Sequence, residues 1–257
     1  MIKTAFSTLS LPDCTPEDIA ALARELRFDG IEIRLDPDGT FRGLGPDESD
    51  GIRRLFDRIE ILSLNSGITV TPAFRDTDEL LHLVCFAKKI GAGGVRVFGD
   101  PSAGGLSDLP ALAASFKKIC SKVSGNGVKI LLETHGVLSS ASDIRRLCTL
   151  VDDRSLRVIW DVHHTVEAGE HLRESAVCLS GLVAHVHMKD ARASNGRYVM
   201  TRLGDGELSP RDVREQLETI APGCALSLEW EEFWHPELKG LYSSPRELLE
   251  SYLEWIK

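Results

Sequence analysis

Several things are missing from this chain, and each absence removes a class of function. No stretch approaches the roughly eighteen uninterrupted apolar residues of a membrane span, and the opening MIKTAFSTLSLPDC has no long apolar leader segment. A cytoplasmic protein is therefore expected. An excess of positive charge is missing too: 30 Lys and Arg stand against 39 Asp and Glu, a formal charge of −9. That sign opposes long-range attraction to phosphate backbones or anionic lipid, so neither nucleic acid nor a membrane is expected as a partner. Cysteine is sparse, with six residues (Cys14, Cys85, Cys120, Cys148, Cys178 and Cys224) placed singly and without a CxxC pair. A disulfide-stapled scaffold is excluded, and reduced, buried thiols are expected. The segment FSTLSLPD after the first apolar run contains no glycine, unlike the phosphate-binding turn of a doubly wound nucleotide fold. GAGG at Gly91 to Gly94 reads as a helix stop.

What is present is a soluble composition, 42% hydrophobic and 27% charged, able to bury a sizeable core. Short apolar runs alternate with longer stretches of helical period, the order of βα units on a parallel sheet. Eight runs can be found: Lys3–Ser7, Gly30–Leu35, Glu60–Ser66, Gly94–Asp100, Val128–His135, Leu156–His164, Leu182–Asp190 and Cys224–Glu232. Helices are predicted near Thr15–Leu26, Glu48–Arg58, Thr77–Ile90, Leu109–Val123 and Ser244–Ile256. Thr-Pro-Glu-Asp opens the first helix with an N-cap, Pro at the first turn and acidic residues against the dipole. No linker or repeat divides the chain, so one α/β domain over residues 1–257, a (β/α)₈ barrel, is expected.

In such a barrel, catalytic groups gather at the carboxyl ends of strands. The last four runs end LLETHG, IWDVHHT, HVHMKD and SLEWEE, placing Glu133, Asp161, His187 and Glu229 at equivalent heights. Three carboxylates and an imidazole at one mouth repel and desolvate one another unless a cation lies between them. Oxygen-rich ligation with one nitrogen suits Mn²⁺, Mg²⁺ or Co²⁺, with Zn²⁺ also accommodated. Strand alternation points both His185 and His187 inward; His187, nearer the strand end, is taken as the ligand, and His185 is left to pack or to support it. Alternation also sets His163 on the side of Asp161, so His164 reaches the site only if the strand bends.

These residues, with GIEIR on the second run, Asp-x-x-His in WDVHHTVEAGE, HVHMKD, the following LGDGEL and SLEWE, resemble the xylose isomerase-like TIM-barrel superfamily over essentially the whole chain. The likeness is to its sugar phosphate isomerase/epimerase members, including ketose 3-epimerases and inosose dehydratases. The resemblance implies that Glu133, Asp161, His187 and Glu229 hold one metal ion, with Glu133 and Glu229 doubling as the acid/base pair. It implies a substrate-binding role for His164 and an isomerase or epimerase acting through an enediolate on a small sugar or polyol. A homodimer is expected by analogy.

Beyond the quartet, His135 and Arg192 are further substrate-contact candidates. Arg34, Arg96 and Lys189 could add to a cationic rim, although such residues commonly pair with neighbouring acids such as Asp36 and Asp190. Asn65 could meet a hydroxyl or serve a turn, and Trp230, Phe233 and Trp234 could wall the site or pack on the last helix. Two other activities remain beside the isomerase: a dehydratase of a cyclic polyol ketone or dehydroshikimate-like acid, and an apurinic endonuclease. The latter needs more metal ligands, and the second to fourth runs end in Arg34, Asn65 and Arg96 without a histidine.

Overall fold

The computed structural model describes residues 2–35, 41 and 45–257. Strands β1 (Lys3–Ser7), β2 (Gly30–Arg34), β3 (Glu60–Val70), β4 (Gly94–Gly99), β5 (Lys129–Glu133), β6 (Leu156–Asp161) and β7 (Val183–Met188) follow in order. After them come a short antiparallel hairpin, β8 (Ala191–Ser194) and β9 (Arg197–Met200), and the last barrel strand, β10 (Ala225–Leu228). The eight barrel strands pair in parallel and close, β1 lying between β2 and β10. This is a (β/α)₈ barrel. The described residues contain no helix long and apolar enough to cross a membrane.

Helices α1 (Pro16–Glu25), α2 (Ser49–Leu55), α3 (Thr77–Ile90), α4 (Leu109–Val123), α5 (Ala141–Val151), α6 (Val162–Glu167), α7 (Leu172–Leu179), α8 (Pro210–Ile220) and α9 (Pro245–Trp255) connect and follow the strands. Thr15 closes a capping box on α1 with Asp18, and Gly91 ends α3 at φ 79°, a left-handed conformation open to glycine. Outward strand residues such as Ile33, Val97, Leu132, Val158, Val186 and Leu226 are buried against helix residues such as Ile19, Val84, Phe116, Ile144 and Leu217. Each such side chain contributes roughly 1.5–3 kcal/mol on removal from water. The core therefore lies between barrel and helices, leaving the strands' inner faces free to carry polar groups.

Of the boundaries that differ from those read in the sequence, three bear on the site. β3 runs on to Val70, with its register against β4 shifting between Asn65 and Thr69. β10 ends at Leu228, although the Glu229 amide still donates to Met188 O at 3.0 Å and so holds Glu229 at the strand's end. β6 stops at Asp161 and not at His164, because the Asp161 carboxylate accepts from the His164 amide at 3.1 Å and caps α6. No disulfide joins the cysteines among the described residues; burial pushes the Cys120, Cys148 and Cys224 thiols up to about 12, so these three are inert at neutral pH.

Candidate metal centre

Alternation along each strand sends every second side chain into the barrel. On β7 these are His185 and His187, with Lys189 just beyond; on β10 they are Ser227 and, past its end, Glu229. β5 supplies Glu133, β6 Asp161, β4 Arg96, β3 Ser63 and Asn65, and β2 Glu32. Ligand atoms of Glu133, Asp161, His187 and Glu229 all lie within 4.8 Å of one another, and all four residues are at most 2% exposed. The structure thus brings together the four residues that the sequence pattern singled out. His187 Nδ1 sits 3.4 Å from Glu133 Oε1, 3.1 Å from Glu229 Oε2 and 3.9 Å from Asp161 Oδ2.

Beneath this quartet is a second layer that the sequence reading missed. The fully buried Glu32 carboxylate receives His187 Nε2 at 3.0 Å, His185 Nε2 at 2.9 Å and Asn65 Nδ2 at 2.9 Å on Oε2. Ser63 Oγ approaches the same oxygen at 3.0 Å, and Ser227 Oγ donates to Oε1. The signal was available: in GIEIR, a carboxylate between two outward isoleucines must face the barrel interior. Burial pushes this carboxyl up, but His187 and His185 overcome that and hold it well below the usual range. An ionised carboxylate only accepts, so His187 Nε2 carries the proton that it donates to Glu32, and Nδ1 is the atom left facing the quartet.

The mouth is less uniformly acidic than the sequence suggested. Arg96 Nη1 reaches Glu133 Oε2 at 2.6 Å, with its guanidinium 4.2 Å from the centroid of Phe98. Lys189 Nζ lies 2.8 Å from each of Asp161 Oδ2, Glu229 Oε2 and Glu231 Oε1. Both cations are 1% exposed, so the rim expected from Arg96 and Lys189 is instead interior charge compensation. They do not complete it: Glu32, Glu133, Asp161, Glu229 and Glu231 outnumber Arg96 and Lys189. Burial favours a neutral Glu133, yet the Arg96 guanidinium holds it below the usual carboxylate range; His187 and Lys189 do the same more strongly for Glu229. His187 is driven the other way, with Glu229, Glu32 and Glu133 outweighing its burial and raising it well above an ordinary histidine.

The bend required for His164 is present. With α6 beginning at Val162, His164 turns back so that its Nε2 lies 3.7 Å from Asp161 Oδ2. His163 is buried against the hairpin, its ring 6.3 Å from that of Tyr198, and burial pushes it down to about 4. His135 packs at 4.5 Å on Phe98 and 4.8 Å on His164, forming one wall beside the quartet. Arg192 is exposed on β8 and is not drawn into the cluster. Arg34 is half-buried at the end of β2, and Asp36 lies outside the described residues. Trp230 is buried against Tyr242, whereas Phe233 and Trp234 are exposed. Asp190 organises LGDGEL: its carboxylate accepts from the amides of Gly204 at 2.8 Å and Gly206 at 2.9 Å, and a Cβ at Gly206 would sit 2.1 Å from Asp190 Oδ1.

The donor set fits a divalent cation. His187 Nδ1 is buried without a hydrogen-bond partner, whereas Asp161 Oδ2 has the Lys189 ammonium 2.8 Å away. A protein interior rarely leaves an atom such as His187 Nδ1 unsatisfied. A family model described as xylose isomerase-like TIM barrel matches residues 20–257. The chain belongs to the xylose isomerase-like TIM-barrel family. No curated protein sequence matches it.

Solved structures resemble this family member along its whole length. A probable 3-DHS dehydratase, AsbF, of petrobactin synthesis in Bacillus anthracis superposes with a TM-score of 0.78 at 18% identity, covering 98% of each chain. The IOLI protein, solved with a zinc atom bound, gives 0.77 at 16% identity over 99% of this chain and 98% of its own. An L-ribulose 3-epimerase gives 0.73 at 16% identity over 100% and 95%. At these identities the likeness is one of fold.

Proposed function

We propose that this family member is a metal-dependent isomerase or epimerase that moves a proton beside the carbonyl of a small sugar-like polyol. The observation that carries this reading is the pair of buried carboxylates, Glu133 and Glu229, held below the usual carboxylate range and lying 3.4 and 3.1 Å from His187 Nδ1. Glu133, Asp161, His187 and Glu229 would hold the cation, with Mn²⁺, Mg²⁺ or Co²⁺ suited to the oxygen-rich set and Zn²⁺ to be tried beside them. When bound, the ion stabilises negative charge developing on a carbonyl oxygen, without which a neighbouring C–H is too weakly acidic to ionise at neutral pH.

The chain's own groups supply the proton transfer. One glutamate takes the proton from the carbon beside the carbonyl, the bonding electrons pass into an enediolate, and the other glutamate returns a proton, from the opposite face in an epimerase. Arg96 and Lys189 keep the two carboxylates ionised and fixed in place. His164 and His135, which pack on one another beside Phe98, would meet substrate hydroxyls. The net charge and the lack of histidine at the ends of β2–β4 favour a small molecule over DNA as substrate.

The same carboxylates could expel a hydroxyl from the β-position, and the fold likeness to a probable dehydratase keeps that reaction as the second reading. A screen of ketoses, inososes and dehydroshikimate-like acids, with products checked for loss of water, separates the two. Glu133→Gln and Glu229→Gln are each expected to lower turnover by at least about 100-fold, the scale of general acid–base catalysis. Full activity in either variant, or turnover that survives thorough chelation, would contradict the proposal.

A further inference from the structure

We infer that Glu32 is a positioning residue that fixes His187 as an Nδ1 ligand, holding the imidazole from beneath so that only Nδ1 faces the metal centre. The inference rests on the metal-centre reading above and extends it to a residue outside the four ligands. Glu32 touches none of Glu133, Asp161 or Glu229 through a described hydrogen bond; its contacts are His187, His185, Asn65, Ser63 and Ser227. Those partners come from β3, β7 and β10, so the carboxylate of β2 ties together strands on opposite sides of the barrel.

The geometry leaves His187 one orientation. Its Nε2 is 3.0 Å from Glu32 Oε2, while its Nδ1 points into the quartet with no hydrogen-bond partner. Rotating the ring to present Nε2 upward would abandon the hydrogen bond to Glu32 and bury an unpaired N–H, a cost of about 1–3 kcal/mol. A carboxylate receiving the distal N–H of a ligating imidazole also increases the basicity of the ligating nitrogen. His185 shares the same oxygen at 2.9 Å, so the first histidine of HVHMKD helps hold the Glu32 carboxylate in place.

Two measurements test this, neither requiring turnover. Metal titration by calorimetry or chelator competition is run on wild type and Glu32→Gln; glutamine keeps an oxygen acceptor for His187 and a donor for Ser227 but removes the charge. Affinity is expected to fall roughly 10- to 100-fold in the variant, with the metal-free circular dichroism spectrum unchanged. Long-range ¹H–¹⁵N NMR on histidine-labelled wild type loaded with Zn²⁺ is expected to show His187 coordinated through Nδ1 with a protonated Nε2. That spectrum decides the matter even if the variant does not fold. Coordination through Nε2, or a Glu32→Gln affinity within about twofold of wild type, would overturn the role of Glu32. Failure of wild type itself to bind metal would instead overturn the reading of the centre.

Discussion

At the residue scale, the site depends on how three buried carboxylates and their neighbours tolerate one another. Lys189 is the group whose loss would reveal this most clearly, since it lies 2.8 Å from each of Asp161, Glu229 and Glu231. Removing one member of a buried ion cluster leaves uncompensated charge and typically costs about 3–5 kcal/mol. Lys189→Met, which keeps most of the side-chain volume, is expected to lose about that much stability without metal. Added divalent ion should restore part of it. Urea unfolding of the variant with and without metal measures both effects, and a variant as stable as wild type without metal would show that Lys189 does not compensate the cluster.

At the element scale, the loop after α6 holds the start of α5. Glu170 accepts from the Ala141 amide at 2.8 Å and the Ser142 amide at 3.2 Å, and from the Ser140 and Ser175 hydroxyls at 2.7 and 2.8 Å. Ser140, the N-cap of α5, makes no side-chain cap of its own, so Glu170 fills that role from a distance. Although burial pushes the other way, these hydrogen bonds hold the Glu170 carboxyl below its usual range. Its contribution is therefore fully present above the unfolded value near ~4.3 and is lost as pH falls through the lower folded value. Glu170→Ala is expected to cost about 1 kcal/mol at pH 7, with the gap to wild type shrinking in acid. A gap that widens in acid would contradict this account of the cap.

The same scale shows what the sequence could and could not reveal. Helix α3 was legible from end to end because Gly91 marks its stop and the apolar period is unbroken. β6 was read three residues too long, because WDVHH continues an apolar run and only Asp161's capping bond breaks it. The hairpin β8–β9 received no element, although Asn195-Gly196 at its tip, both at positive φ, is a hairpin turn pair. Glu32 and the interior placement of Arg96 and Lys189 were missed or underrated because a single charged residue in a strand does not show what lies opposite it. Alternation shows that Glu32 faces inward, but the partners of all three emerge only once the eight barrel strands are closed around one axis.

At the scale of the whole molecule, eight alternating runs were enough to anticipate the closed barrel, since strand count and order survive errors of a few residues at each boundary. The barrel in turn explains why Glu133, Asp161, His187 and Glu229, spread over nearly a hundred residues of sequence, meet within 4.8 Å. A ligand that binds only the folded barrel must stabilise it, by about 2.7 kcal/mol when its free concentration is about 100 times Kd. Melting temperature is therefore expected to rise with added divalent ion and to fall on chelation, as differential scanning calorimetry would record. The net charge of −9 also leads us to expect no binding to abasic duplex DNA at moderate salt, and a salt-dependent complex in a gel-shift assay would revive the endonuclease alternative.

The most direct test of the central claim is elemental analysis of purified protein after reconstitution and gel filtration, with Asp161→Asn/Glu229→Gln handled in parallel. The account predicts one divalent ion per wild-type chain and a substoichiometric amount in the double variant. A wild-type chain that retains no ion, or a double variant that retains as much as wild type, would contradict it.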